Sequence, residues 1–170
     1  EFMFLDDTAC HLASINLEKF LRADSTWDIE GYRQVAALLI IAMDIMVDLD
    51  GYPTAKLAKN THRFRPLGLG LASLGAVLMQ LALPYDSDQA RQLSAALVAT
   101  LTGEAYWVSS VMAARKSSFE AYNENQDCMS EVLQEHQKAW HVMEKQYVSS
   151  DWVQEANDAW ERALDAGNIY

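Results

Sequence analysis

The sequence has few cysteines and little positive charge. Only two of its 170 residues are cysteine, Cys10 and Cys128, and they lie far apart along the chain. This excludes the disulfide-rich secreted domains, which need a denser set of cysteines. Lysine and arginine number 13 against 24 acidic residues, so the formal net charge is −11. Nucleic acid is disfavoured as a partner, because binding to a phosphate backbone depends on clustered basic residues.

Long apolar runs and targeting signals are also missing. The longest apolar run, 35–47, is too short to span a bilayer and is interrupted by Asp44. Residues 1–20 lack the basic start of a signal peptide and carry acidic residues. We therefore expect no membrane partner and a cytoplasmic location. Hydrophobic residues make up 51% of the chain, so a single folded unit is expected rather than disorder.

Helical spacing of apolar residues accounts for most of the chain. Asp28 is placed to cap a helix that runs to about Leu49, and its apolar residues predict burial nearly all round. Burial of a lone carboxylate is costly, so Asp44 in the middle of this helix needs either a charged or hydrogen-bonding partner or contact with water. A metal-binding or catalytic role for Asp44 is the less favoured alternative. Further helices are predicted from Pro53 to about Asn60, over 74–83, from Asp86 to about Arg115, from Asn125, and from a cap at Ser150 to a stop at Gly167.

Two stretches, about 8–17 and about 66–72, have the character of short strands. In the second, leucines alternate with Gly68 and Gly70, which favours a strand that packs closely against neighbouring backbone. A dinucleotide-binding turn is rejected, because Ser73 stands in place of the third glycine. The predicted fold class is therefore mostly α with one or two short strands.

Four other positions carry weaker expectations. Pro66 should hold the residue before it, Arg65, in extended geometry. Gly103 inside the long helix should cost about 1 kcal/mol relative to alanine. His136 and His141 are five residues apart and do not share a helix face, which argues against a zinc site. Cys128 is interpreted as an ordinary thiol, with activation by a helix dipole as the alternative.

The stretch with most chemical interest is the first twenty residues. Cys10 stands there among small and apolar residues, just after Asp6 and Asp7. A lone cysteine is weak evidence for a functional site, and cysteine is among the most buried residue types. From the residues alone, this stretch is a short strand with an interior thiol.

The order of residues in the same stretch resembles the catalytic subunit of ribonucleotide reductase, most closely the adenosylcobalamin-dependent class II form. That family has a loop Asn-x-Cys-x-Glu and then Asp-Asp-x-Ala-Cys-Asn-Leu-Ala-Ser. Glu1 falls where the loop glutamate belongs, and His11 replaces the usual asparagine. Three later blocks, 52–54, 65–75 and 83–88, are also similar to the family. The residues that match the second motif are Asp6, Asp7, Ala9, Cys10, Leu12, Ala13 and Ser14.

The resemblance implies that residues 1–170 are one segment of a ten-stranded α/β barrel domain. The complete enzyme would convert ribonucleotides, expected to be diphosphates, to 2'-deoxyribonucleotides by thiyl-radical chemistry with adenosylcobalamin. Glu1 would be the base toward the 3'-hydroxyl, Cys10 one of the two reducing cysteines, and Leu12 part of the substrate pocket. The expected partners are the ribonucleotide, the remainder of the reductase chain and a thioredoxin-like reductant.

The same resemblance places the radical cysteine two residues before Glu1 and the cobalamin-binding elements outside the given residues. The isolated chain is therefore expected to be inactive. Two alternatives stay open at this point. One is a non-catalytic helical interaction module that keeps an ancestral reductase sequence, and the other is a segment of a class I reductase large subunit.

Overall fold

The structure, a computed structural model, describes residues 5–165. Within this range it is mostly helical with one two-stranded sheet, which confirms the predicted mostly α fold. The strands are β1, His11–Asn16, and β2, Leu67–Ala72, and a single 3-10 turn, Leu17–Lys19, follows β1. The helices are α1 (Ile29–Leu49), α2 (Ala55–Phe64), α3 (Leu74–Gln80), α4 (Asp88–Lys116), α5 (Tyr122–Val142) and α6 (Ser150–Asp165).

The two strands are parallel and in register from His11 opposite Leu67 to Asn16 opposite Ala72. Parallel strands need a long crossover, and here α1 and α2 provide it. The sheet packs on the helices through one face only. Ile15 on that face is 3% exposed and joins the main core. A two-stranded sheet is marginal by itself, so the stability of this unit comes mainly from the helices.

The main core lies where α1, α4 and α6 meet. Tyr32, Trp152 and Trp160 are its largest buried side chains. The rings of Tyr32 and Trp152 meet edge to face at 5.7 Å. The Tyr32 hydroxyl donates a hydrogen bond of 2.9 Å to the Leu97 carbonyl oxygen, which satisfies the one polar atom of that ring.

A buried carboxylate ties the same three helices together. Glu104 on α4 is 3% exposed and accepts hydrogen bonds from Arg33 on α1 at 2.9 Å and from Arg162 on α6 at 3.2 Å. Arg33 also pairs with Glu155 at 2.9 Å. A buried ion network adds little net stability over an apolar core, but removing one partner leaves a costly unpaired charge. The network therefore specifies how α1, α4 and α6 pack.

At Gly103, α4 and α6 pack closely against each other. A Cβ added there would lie 2.9 Å from Ala159 Cβ and 3.0 Å from the Trp160 backbone nitrogen. These distances are shorter than real Cβ contacts, so alanine does not fit. The expectation that Gly103 merely costs helix propensity is therefore incomplete, because the glycine is what allows the two helices to pack.

Helix α1 begins as predicted, with Asp28 accepting a hydrogen bond of 3.2 Å from the Gly31 N–H. The prediction that α1 is buried nearly all round is wrong. Leu38 is 65% and Leu49 is 77% exposed, because the sheet and α4 cover only one side of the helix. Ile41, Ile45 and Met46 extend the same exposed apolar stripe.

The predicted starts of α2 and α4 are wrong by one or two residues. Pro53 does not begin α2; Thr54 caps it, accepting from the Leu57 N–H at 3.2 Å. The cap of α4 is Ser87, whose hydroxyl accepts from the Ala90 N–H at 3.1 Å. Asp86 pairs instead with an arginine of the first turn of α4, so its carboxylate is engaged elsewhere. In both helices a hydroxyl side chain provides the cap.

Three other helix boundaries differ from the prediction, and the first is the end of α2, which lies at Phe64 rather than at about Asn60. Helix α3 ends at Gln80, before the expected 74–83 is complete. Helix α5 begins at Tyr122 rather than at Asn125, because the buried Tyr122 ring packs edge to face on Phe119 at 5.5 Å. The predicted stop at Gly167 lies outside the described residues. None of the helices within 5–165 combines the length and apolar composition that a bilayer span requires.

Arg65 has left-handed geometry, φ 46° and ψ 55°, so the predicted extended geometry is wrong. A residue before proline avoids the right-handed α region, and Arg65 uses the left-handed region to end α2. Its N–H donates to the Thr61 carbonyl oxygen at 2.8 Å. Its guanidinium Nε donates to Asp44 Oδ1 at 2.7 Å, and its Nη1 donates to Asp48 Oδ1 at 2.7 Å. Asp44, which is 1% exposed, thus has a countercharge at Oδ1, whereas its buried Oδ2 accepts no hydrogen bond from the described residues.

We expect Gly103→Ala to lower the free energy of unfolding by about 1–3 kcal/mol, because the added methyl group must push α4 and α6 apart. Gly75→Ala is the matched control. Nothing lies within 4 Å of a Cβ at Gly75 in α3, so alanine should be neutral or stabilise by up to about 1 kcal/mol. Chemical denaturation of both variants measures the difference. A Gly103→Ala chain as stable as wild type would contradict the close contact.

We expect Arg65→Met to lower the free energy of unfolding by about 3–5 kcal/mol, because Asp44 is left buried without its countercharge. Asp48→Asn should cost under about 1 kcal/mol, since Asp48 is half exposed. Combining Arg65→Met with Asp44→Asn should recover part of the loss, because no charge then remains buried. Strictly additive losses in this double-mutant cycle would show that the two side chains do not interact.

Candidate active site

Alternation of side chains gives the two-stranded sheet one covered and one open face. Ile15 points to the core, whereas Leu12 is 63% exposed and Ser14 and Asn16 are exposed as well. A Cβ built on Gly70 would lie 3.5 Å from Ser14 Oγ, so Gly70 turns its side-chain position to the same side as Ser14. Leu12, Ser14, Asn16 and Gly70 are called the open face below.

Cys10 directly precedes β1, at the end of the open face. Its side chain is partly buried, and its Sγ lies 3.8 Å from the His11 carbonyl oxygen. Cys10 has the same alternation parity as Leu12 and Ser14, which favours the open face for the thiol. Cys128 is exposed on α5, and no disulfide links the two cysteines.

Helix α2 holds the backbone next to Cys10 in place. Thr61 is fully buried, and its Oγ1 accepts a hydrogen bond of 2.9 Å from the Ala9 N–H. The Ala9 N–H is part-buried, so losing its acceptor would cost free energy, and this contact helps to fix the path of the chain one residue before the thiol. Sequence reasoning missed Thr61, since its acceptor role depends on a residue 52 positions away.

Two exposed contacts add to this anchor. Asn60 donates a hydrogen bond of 3.0 Å to the Asp6 carbonyl oxygen, and Lys56 pairs with the Asp7 carboxylate. The hydrogen bond that Lys56 donates to the Asp7 carboxylate raises the pKa of Lys56. Both groups are solvated, so this ion pair positions the segment more than it stabilises the fold. Lys56 and Asn60 are four residues apart and therefore share one side of α2. This spacing is the signal in the sequence that could have indicated a polar contact surface on α2.

The remaining predicted residues have different outcomes. Glu1 lies outside the described residues, so the structure places neither it nor its distance to Cys10. Leu12 is brought to the open face together with the end of the strand that carries Cys10. His11 turns to the covered side, where its Nε2 lies 3.4 Å from Asp50 Oδ2, without the alignment of a hydrogen bond. Within residues 5–165 no group of three or more His, Cys, Asp or Glu side chains could hold a metal ion.

A thiol directly before a strand, beside a sheet face that the helices of the described residues leave exposed, is suited to chemistry on a bound molecule. The protein-family model for the ribonucleotide reductase barrel domain matches residues 1–169 of this chain. The chain belongs to this family. The resemblance that Cys10 and its neighbours carried is therefore confirmed.

Relatives with the same assignment cover nearly the whole chain. A vitamin B12-dependent ribonucleotide reductase of Rhodopirellula baltica is 43% identical over 170 residues, which is 100% of this chain and 16% of that protein. The one of Bradyrhizobium diazoefficiens is 37% identical over 183 residues, 98% of this chain and 15% of that protein. A vitamin B12-dependent ribonucleoside-diphosphate reductase of Mycobacterium tuberculosis is 30% identical over 125 residues, 74% of this chain and 18% of that protein. The chain thus spans less than a fifth of these relatives.

We expect Thr61→Val to loosen the segment around Cys10, because valine keeps the shape of threonine but accepts no hydrogen bond from Ala9. Alkylation of Cys10 by a thiol reagent, followed by mass spectrometry, should become several-fold faster, with Cys128 as the internal reference. The free energy of unfolding should fall by about 1 kcal/mol, the net contribution of one hydrogen bond, because the Ala9 N–H is only part-buried. Thr61→Ser keeps the acceptor and is the matched control. Equal Cys10 reactivity in the valine and serine variants would rule out this anchoring role.

Proposed function

We propose that this chain is a segment of the catalytic barrel of an adenosylcobalamin-dependent ribonucleotide reductase. The observation that carries the proposal is the position of Cys10, at the start of β1 beside the open face, in a chain of the reductase barrel family. Residues 1–170 then form one part of the barrel domain. The Mycobacterium tuberculosis relative is a ribonucleoside-diphosphate reductase by name, which supports ribonucleoside diphosphates as the substrate class.

The exposed surfaces of the chain support a place inside a larger sheet. Each of the two strands has one neighbour within the described residues, so each has an edge whose backbone groups another strand would satisfy. The exposed apolar stripe of α1 likewise suits contact with further elements. In a ten-stranded barrel the covered face of the sheet turns outward to the helices, and the open face turns inward to the substrate.

Cys10 supplies one of two thiols in the proposed reaction. A ribonucleotide and two cysteine thiols give a 2'-deoxyribonucleotide, a disulfide and water, so the two sulfurs lose the two electrons that the sugar gains. The disulfide requires a second cysteine whose Cα comes within about 4.4–6.8 Å of that of Cys10. A thioredoxin-like dithiol then reduces this disulfide by exchange.

Glu1 and Leu12 complete the proposed site. Glu1 holds and returns the proton of the 3'-hydroxyl, a role that a carboxylate fulfils near neutral pH when burial raises its pKa. Leu12 gives the pocket an apolar wall, and its 63% exposure leaves its side chain available for that contact. Leu12 lies at the start of β1, two residues after Cys10, which supports their acting on one bound molecule.

The described residues do not fit the cofactor by themselves. The main cavities in this part of the chain measure about 330–400 Å³. Pockets for drug-sized ligands span about 300–1,000 Å³, and adenosylcobalamin is far larger than such ligands. In the proposed enzyme the cofactor is therefore held by other parts of the polypeptide, and the role of this segment is to present the reducing thiol and part of the substrate pocket.

In the complete enzyme we expect Cys10→Ser to abolish multiple turnover with a dithiol reductant, because no disulfide can then form. Serine is close in size and Cys10 is only partly buried, so the thermal midpoint should change little. The measurement is steady-state formation of deoxynucleotide with adenosylcobalamin, together with a thermal melt. Cys128→Ser is the matched control and should keep near wild-type turnover, since Cys128 is exposed on α5.

Normal turnover by the Cys10→Ser enzyme would refute the redox role of Cys10. Loss of activity in both serine variants, in proportion to lost stability, would assign the effect to folding. A wild-type complete protein that forms no deoxynucleotide would favour the non-catalytic helical module. A wild-type enzyme that needs a metal-bearing radical subunit instead of adenosylcobalamin would favour a class I reductase.

A further inference from the structure

Gly70 is not explained by the fold of the described residues. A glycine inside a strand has three usual reasons, which are a left-handed φ, close approach of neighbouring chain, and close approach of a ligand. The φ of Gly70 is not in the left-handed range. A Cβ there would lie 3.5 Å from Ser14 Oγ and 3.9 Å from the Ala13 carbonyl oxygen, which are ordinary contacts. Within the described residues, the neighbouring backbone does not come close enough to Gly70 to require glycine, so the expected close packing is not met at this position.

The position of Gly70 relative to Cys10 points to the bound molecule. Gly70 is paired with Ser14, four residues after Cys10 along β1. At a rise of about 3.3 Å per residue this is about 13 Å along the strand. If the sugar of a nucleotide reacts beside Cys10, only a part of the nucleotide that is remote from the reacting carbon lies about 13 Å away, next to Gly70. That part is either the phosphates or the nucleobase.

The chemistry of the open face favours the nucleobase. Phosphates are bound by arginine, lysine or the N-terminus of a helix. The residues of the open face carry no positive charge. Leu12 offers an exposed apolar surface, the half-buried Gly70 has no side chain, and the hydroxyl of the exposed Ser14 lies 3.5 Å from where a Cβ of residue 70 would be. This combination suits a planar ring that stacks on the sheet and makes a polar contact at its rim.

We propose that Gly70 is a specificity-determining residue whose missing side chain makes room for the nucleobase of the substrate on the open face. This inference rests on the proposed reductase function. It extends that function by assigning the base, rather than the sugar or the phosphates, to the part of β2 next to Ser14.

The test compares Gly70→Ala and Gly70→Val in the complete reductase, with Gly75→Ala as the control away from the open face. The KM for ribonucleotides should rise in the order alanine, then valine, by about tenfold or more for valine, because its methyl groups occupy the space of the base. The rise should be larger for purine than for pyrimidine substrates. The kcat should stay within about twofold, as expected for loss of binding shared by ground and transition state. Thermal midpoints should match wild type.

Unchanged KM values in the Gly70→Val enzyme would overturn this inference and leave the proposed function standing. A lowered thermal midpoint with unchanged KM would also overturn it, since it would mean that another part of the polypeptide covers Gly70. Equal KM increases for purines and pyrimidines would argue that the sugar or the phosphates lie there instead. A wild-type enzyme without reductase activity would overturn both the proposed function and this inference.

Discussion

The contact between Arg65 and Asp44 is the constraint on which the candidate site depends. Arg65 ends α2 in left-handed geometry and starts the turn into β2, and its guanidinium also holds the buried Asp44 of α1. One residue thereby sets the direction in which α2 stops and the position in which β2 begins. Since β2 pairs with β1 in register, the same contact decides which residue faces Ser14 across the sheet. The Arg65 turn also keeps α2 beside the segment that leads into Cys10.

Two kinds of buried polar contact share the work of specifying this arrangement. The Glu104 network joins α1, α4 and α6 on the covered side, whereas Thr61 fixes a backbone amide on the side of the thiol. Neither contact contributes much net free energy, since each replaces hydrogen bonds to water. Each contact does raise the free energy of other helix arrangements, because a displaced helix would leave a charge or a backbone N–H without its partner. Apolar burial makes the unit stable, and these contacts determine its geometry.

The sequence allowed the helices to be predicted because their signals are local. Periodicity and the Asp28 cap need only neighbouring residues, so α1 was placed correctly while its burial was not, since the burial depends on what packs against it. Contacts between distant residues could not be predicted in the same way. Arg65 reaches Asp44 across 21 positions, and the role of Gly103 appears only when α6 lies against it. Cys10 was found through a motif, since a lone cysteine carries no spacing to interpret.

Structure and function are divided between the two faces of one small sheet. The covered face contributes Ile15 to a core that lies mainly between α4, α6 and α1. The fold of the described residues therefore does not need the second face of the sheet to be buried. That frees the open face from packing, and position 70 can remain glycine although the described fold would accept a larger residue. A side chain there would strengthen the strand, since glycine loses more conformational freedom on folding than any other residue. The sheet is therefore weaker than it needs to be at the place where, in the proposed enzyme, a planar ring must come closest to the backbone.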